Sequence, residues 1–240
     1  MNKRNVIGIT IRFAVITLAV LSLMACASNP SASKVKTATL LSADKNVASD
    51  ISQVLLVMDD RFLFFNSRKV YALEKSDVTW RQAMAPMDAA IGRNGFAKVG
   101  EKREGDGRTP SGLYRLGTAF GYAESAVTKM PYRQALADDL WIDDPNAPDY
   151  NRWVKQGQTG ALSYEKMKRD DDLYKYGIVI EYNTDPVIKG YGSAIFFHIW
   201  ASTKSTTAGC VAVSEEDILN ILAWLNPAAN PVILINPDPL

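Results

Sequence analysis

The chain has 240 residues, nearly equal numbers of basic and acidic side chains, and a net charge of +1. Setting aside Lys3, Arg4 and Arg12 of the opening segment turns that into −2, so no basic surface argues for nucleic acid as a partner. With Cys26 set aside in the opening segment, a single histidine and a single cysteine fall short of the three or four ligands a zinc site usually takes, and neither metal nor cofactor is expected.

The chain opens Met1-Asn2-Lys3-Arg4, adds Arg12, and then runs apolar from Phe13 to Met24, with no acid before Asp44. A basic start followed by a short apolar core reads as a secretory signal over 1–25; a membrane span needs about 20 apolar residues. Its end, Leu23-Met24-Ala25-Cys26, resembles the lipobox of bacterial lipoproteins, which implies lipidation at Cys26. Ala25-Cys26-Ala27 also fits the small-x-small site of ordinary signal peptidase, which removes the cysteine. Both readings place the rest of the chain outside the cytoplasm. Ala27 in place of Asp favours the outer membrane, so a lipid anchor is the only membrane contact expected. Residues 26–50, rich in Ser, Ala, Lys and Thr, read as a tether, and 51–240 as one domain.

Within that domain the elements are mostly strands. Gln53 to Met58 and Arg61 to Phe65 read as two strands turning at Asp59-Asp60, followed by Val70 to Glu74 and Val78 to Arg81. Gly105-Asp106-Gly107-Arg108-Thr109-Pro110 enforces a turn before the strand Gly112 to Leu116. Trp141 to Thr159 reads as a long polar insertion whose aromatics Trp141, Tyr150 and Trp153 either line a groove or pack it against the sheet. A helix is expected around Tyr164 to Tyr174. Strands then recur at Ile178 to Tyr182, Ile195 to Ile199 and Val232 to Ile235. Between the last two, Ser214 supplies an N-cap ahead of Glu215, Glu216 and Asp217, and Ile218, Ile221, Leu222 and Leu225 recur on one helical face until Asn226-Pro227. The fold class is mainly β with a few short helices. Asp138-Asp139, Asp143-Asp144, Asp149 and Asp170 to Asp172 lack EF-hand spacing and read as solvated loop acids.

Chemistry concentrates on the scarce residues. If Cys26 belongs to the leader, Cys210 and His198 are the only thiol and imidazole of the domain. A lone thiol outside the cytoplasm is either buried and inert or chemically useful. A cysteine nucleophile needs a base, and imidazole is tuned for that work. His198 lies in a strand and Cys210 twelve residues on, a spacing that adjacent strands and a connecting loop can close. Gly209 lets the backbone turn so that amides of Gly209 and Cys210 meet an oxyanion, and the Thr207 hydroxyl holds the loop. No acid near His198 supplies an orienting partner; a backbone carbonyl can fill that role.

His198 and Thr207-x-Gly209-Cys210-Val211 resemble the signature of the YkuD-type L,D-transpeptidase family. Gly105-Asp106-Gly107-Arg108-Thr109-Pro110-Ser111-Gly112-Leu113-Tyr114 resembles that family's Gly-Asp-x-x-Thr-Pro-x-Gly-x-Tyr/Phe segment. The resemblance spans roughly 55–235 and implies a β-sandwich or barrel-like catalytic domain. It also implies a cysteine that attacks peptidoglycan stem peptides, in transpeptidation or, if water resolves the thioester, as an L,D-carboxypeptidase. A wall-binding lipoprotein on an inactive scaffold is the non-enzymatic alternative. Two departures stand out: Ala208 replaces a second histidine and Ala212 an arginine of better-known members, traits of a subfamily with the Thr-x-Gly-Cys-Val signature. Substrate contacts then pass to other residues, with Arg108, Lys102 and Ser193 as candidates.

Overall fold

In the computed structural model, residues 50–62, 65–77 and 79–236 are described. The basic-apolar leader, Cys26 and the expected tether up to residue 49 lie outside the described residues.

The strands are β1 (Gln53–Phe62), β2 (Phe65–Ser76), β3 (Thr79–Gln82), β4 (Met87–Asp88) and β5 (Phe96–Ala97). Then come β6 (Thr109–Pro110), β7 (Gly112–Gly121), β8 (Tyr132–Gln134), β9 (Asp139–Ile142) and β10 (Trp153–Lys155). The series ends with β11 (Tyr164–Lys166), β12 (Tyr176–Ile180), β13 (Phe196–Ile199), β14 (Val211–Val213) and β15 (Val232–Ile235). Helix α1 (Glu215–Trp224) starts at Ser214, whose hydroxyl accepts from the Asp217 amide. A large sheet runs β14-β13-β12-β7-β15-β1-β2-β3, with β4 beside β2 and β8 beside β7. Two small sheets, β10-β9-β11 and β5-β6, sit beside it in the topology. The mainly β expectation holds.

The centre of the large sheet is buried on both faces: in β1, β12, β13, β14 and β15 apolar residues occupy successive and not merely alternate positions. From β1 and β15, Leu55, Val57, Ile233 and Ile235 meet Ile218, Ile221 and Leu222 of α1. Their neighbours Val54, Leu56, Val232 and Leu234 meet Tyr71 and Leu73 on the other face. The same alternation divides β13: Phe197 and Ile199 point to the α1 side, whereas Phe196 joins Phe120, Trp141, Tyr174 and Cys210. Each such side chain contributes roughly 1.5–3 kcal/mol of burial.

Three expectations need correction. Asp59-Asp60 is not a turn; β1 runs through it, because the partner strand places Arg68 opposite Asp59, with Nε 3.2 Å from Oδ1. Residues 164–174 are not a helix: Tyr164 to Lys166 pair with β9, and Asp171, bonded to Arg169, and Asp172 at φ 58° bend the chain instead. The stretch 141–159 is less a polar insertion than part of the β10-β9-β11 sheet, with Trp141 and Tyr150 buried. The indole N–H groups of Trp141 and Trp153 donate to Asn151 and Asp139, so these aromatics pack the unit.

Candidate active site

β13 and β14 lie side by side and parallel, with Phe197 opposite Val211 and His198 opposite Ala212. Parallel neighbours usually need a crossover of about a dozen residues. Here the connection is the loop from Trp200 to Cys210, and residues 90–93 strap it down. Ala90 and Ala212 exchange backbone bonds of 2.7 and 2.8 Å, the Thr207 amide donates to Ile91, and the Arg93 amide donates to Thr207. The strap is tied in turn to the Gly105–Pro110 turn. The buried Thr109 hydroxyl accepts the Gly92 amide at 2.8 Å and donates to the Cys210 carbonyl at 3.2 Å. Thr207 donates to the same carbonyl at 2.7 Å. Two threonines, one from each motif singled out in the sequence, therefore fix the peptide that carries the thiol.

Cys210 and His198 are both buried and both line one cleft of about 370 Å³. In the resting arrangement the thiol donates to the Ala194 carbonyl at 3.3 Å and accepts from the Phe196 amide at 3.4 Å. His198 Nδ1 lies 2.8 Å from the Ile199 carbonyl, which can accept only if that nitrogen carries the proton, leaving Nε2 as a base. The edge-on ring of Tyr174 packs against the imidazole, with centroids 5.1 Å apart. Burial drives the His198 pKa down to about 4, against the opposing pull of the Ile199 carbonyl. Burial also pushes the Cys210 thiol up to about 12, although the Phe196 amide favours the thiolate. At neutral pH the resting pair is thiol and neutral imidazole.

At Gly209 a Cβ would lie 3.1 Å from both the Arg108 carbonyl and Ile195 Cδ1, so the loop needs glycine for close approach. The Gly209 amide donates to the Thr207 hydroxyl at 3.1 Å and must leave it to serve as an oxyanion donor. The Cys210 amide makes no such bond among the described residues.

A family model for the L,D-transpeptidase catalytic domain, YkuD, matches residues 60–234. The chain belongs to this family. Among solved structures, the helical cell shape determining protein Pgp2 from Campylobacter jejuni is similar at 17% identity and a TM-score of 0.42, over 84% of this chain and 56% of that one. The chain thus spans about half the length of that protein. No curated protein matches.

Of the three candidate substrate contacts, the structure brings two to the cleft of this L,D-transpeptidase-family domain. Lys102 is buried there with its ammonium 2.6 Å from Asp106 Oδ1, and its side chain passes Gly209 at 3.7 Å from the position of a Cβ. Burial opposes the Asp106 charge, but Lys102 and the amides of Arg103 and Arg108 outweigh it and hold the carboxyl below its ordinary value. Ser193 donates to Glu104 at 2.6 Å, and Tyr150 bonds the same carboxylate. The Arg108 side chain is exposed and does not line the cleft; only its backbone meets the Gly209–Cys210 loop. Sequence reasoning missed the charged wall of Glu104, Asp143, Glu165 and Arg169, and also Arg93. Their signal was weak, since charged residues in turns read as solvated loops. Among the described residues no cluster of His, Cys, Asp and Glu could hold a metal.

Proposed function

We propose that the protein is an exported cysteine acyl-transferase that carries out L,D-transpeptidation on peptidoglycan stem peptides. The observation that carries this reading is the Cys210 thiol and the His198 imidazole lining one cleft, with His198 Nδ1 2.8 Å from the Ile199 carbonyl, in a chain of the L,D-transpeptidase family. Cys210 Sγ attacks the carbonyl of an L,D peptide bond while its proton passes to His198 Nε2. The Cys210 amide, which makes no other hydrogen bond among the described residues, meets the oxyanion, a contribution of about 3 kcal/mol per donor. Collapse breaks the C–N bond, Nε2 returns the proton to the departing D-alanine amine, and a thioester remains. An acceptor amine then attacks the thioester, loses its proton to Nε2, and releases Cys210 as the thiol.

The basic-apolar leader supports export, with Cys26 as the point of lipid anchorage to the outer membrane and residues 27–50 as the tether. The test is incubation of the protein, and of Cys210→Ala, with peptidoglycan, followed by mass spectrometry of the muropeptides. Cross-linked dimers that require Cys210 are expected. Shortened stems alone would assign a carboxypeptidase, and an unchanged profile would leave a wall-binding protein.

A further inference from the structure

Three cationic side chains line the cleft: Lys102, Arg169 and Arg93. Two are committed. The Lys102 ammonium is held by Asp106 and the Arg103 carbonyl, both within 2.8 Å. The Arg169 guanidinium is held by Asp171 and Glu165, at 2.6 and 3.1 Å. Arg93 differs: it is an exposed residue whose guanidinium has no acid or carbonyl partner among the described residues, and it lies against the turn that carries Gly107.

Two glycines seat it. A Cβ at Gly92 would fall 2.4 Å from the Gly107 carbonyl, so only glycine lets this backbone lie against the 107–109 turn. A Cβ at Gly107 would fall 3.0 Å from Arg93 Cζ and Nε, so the guanidinium lies directly on that glycine. The Arg93 amide is bonded to Thr207, three residues before the nucleophile. An unpaired guanidinium that lines the same cleft as a buried thiol suits one ligand chemistry above others, since its planar donors match a carboxylate bidentately. The rest of the lining sharpens the choice. Glu104, Asp143 and Glu165 line the same cleft, and an ionised carboxylate offers a substrate anion no hydrogen-bond donor.

We propose that Arg93 is the carboxylate-binding, specificity-determining residue of the cleft, gripping a substrate carboxylate next to the peptide bond that Cys210 attacks. The inference rests on the acyl-transfer reading of the same site. Two sources share the chemistry: the terminal carboxylate of the leaving residue and a side-chain carboxylate of the residue under attack.

The test uses full-length protein and three stem-type peptides: the free acid, its C-terminal amide and its side-chain carboxamide. Binding is measured calorimetrically on Cys210→Ala with and without Arg93→Gln, and kcat/KM on the protein with Cys210 intact. Arg93 should confer a preference for the free acid of about tenfold or more over one amide, and that amide identifies the source. Arg93→Gln should bring the ratio close to one, and Arg93→Lys should restore part of it. No preference in the wild type, or one that survives Arg93→Gln, overturns the proposal. An Arg93-dependent binding preference without turnover by the Cys210-intact protein supports the subsite while overturning the acyl-transfer reading.

Discussion

The floor and the wall of the cleft are built on different physics. The floor, Phe196 to His198 with Gly209 to Ala212, is apolar, buried and strapped by backbone bonds to residues 90–93. Its two ionisable groups are displaced chiefly by loss of water, which keeps both neutral. The wall, drawn from the Arg93 side chain and from 102–108 and 139–174, carries acids and cations, and burial and neighbouring charges set the states of Asp143 and Glu165. On the proposed function, the floor moves a proton between two neutral groups and the wall reads charge on what enters.

That division predicts a graded set of outcomes. His198→Gln removes the base and should lower turnover by about 100- to 10,000-fold with the fold retained by circular dichroism. Gly209→Ala forces a Cβ into contact with the Arg108 carbonyl and Ile195. It should cost up to about 100-fold in kcat through misplacement of the thiol, while comparable activity would mean that the floor is softer than its packing implies.

Acid stability should track the same desolvation. An unfolded chain protonates its imidazole near pH 6.5, whereas folded His198 resists until about pH 4. Between these values the unfolded state holds the extra proton, so the contribution is complete above the unfolded pKa and disappears as pH falls through the folded one. The loss is roughly 3 kcal/mol. His198→Gln should therefore narrow the fall in urea midpoint between pH 7 and pH 4, and an unchanged fall would contradict a buried neutral imidazole.

Thr109→Val strands the Gly92 amide and should lower stability by about 1–3 kcal/mol, read from the urea midpoint. At the other extreme, a Cβ on exposed Gly160 meets nothing within 4 Å. Gly160→Ala should change stability by less than about 1 kcal/mol and leave turnover intact.

The floor was legible in the sequence because its residues are scarce or patterned. One His, one Cys in the domain, a Gly before it and apolar strands on either side leave few arrangements. The wall was not legible. Residues 164–174 carry a helix-compatible mixture, but the pairing of Tyr164 to Lys166 with β9 and the Asp171–Arg169 bond decide the backbone there. Asp59-Asp60 looked like a turn until a cross-strand arginine absorbed the charge. Arg93 carries no local signal at all; its place depends on Gly107, fourteen residues along the chain, offering a surface without a Cβ.

The most direct test of the account is the intact mass of the protein after brief exposure to a stem tetrapeptide and acid quench. An added acyl group that maps to Cys210, forms above pH 5 and is missing from Cys210→Ala is the predicted result. Cross-linked or shortened stems from a protein that never carries that adduct, or equal product from Cys210→Ala, would contradict it.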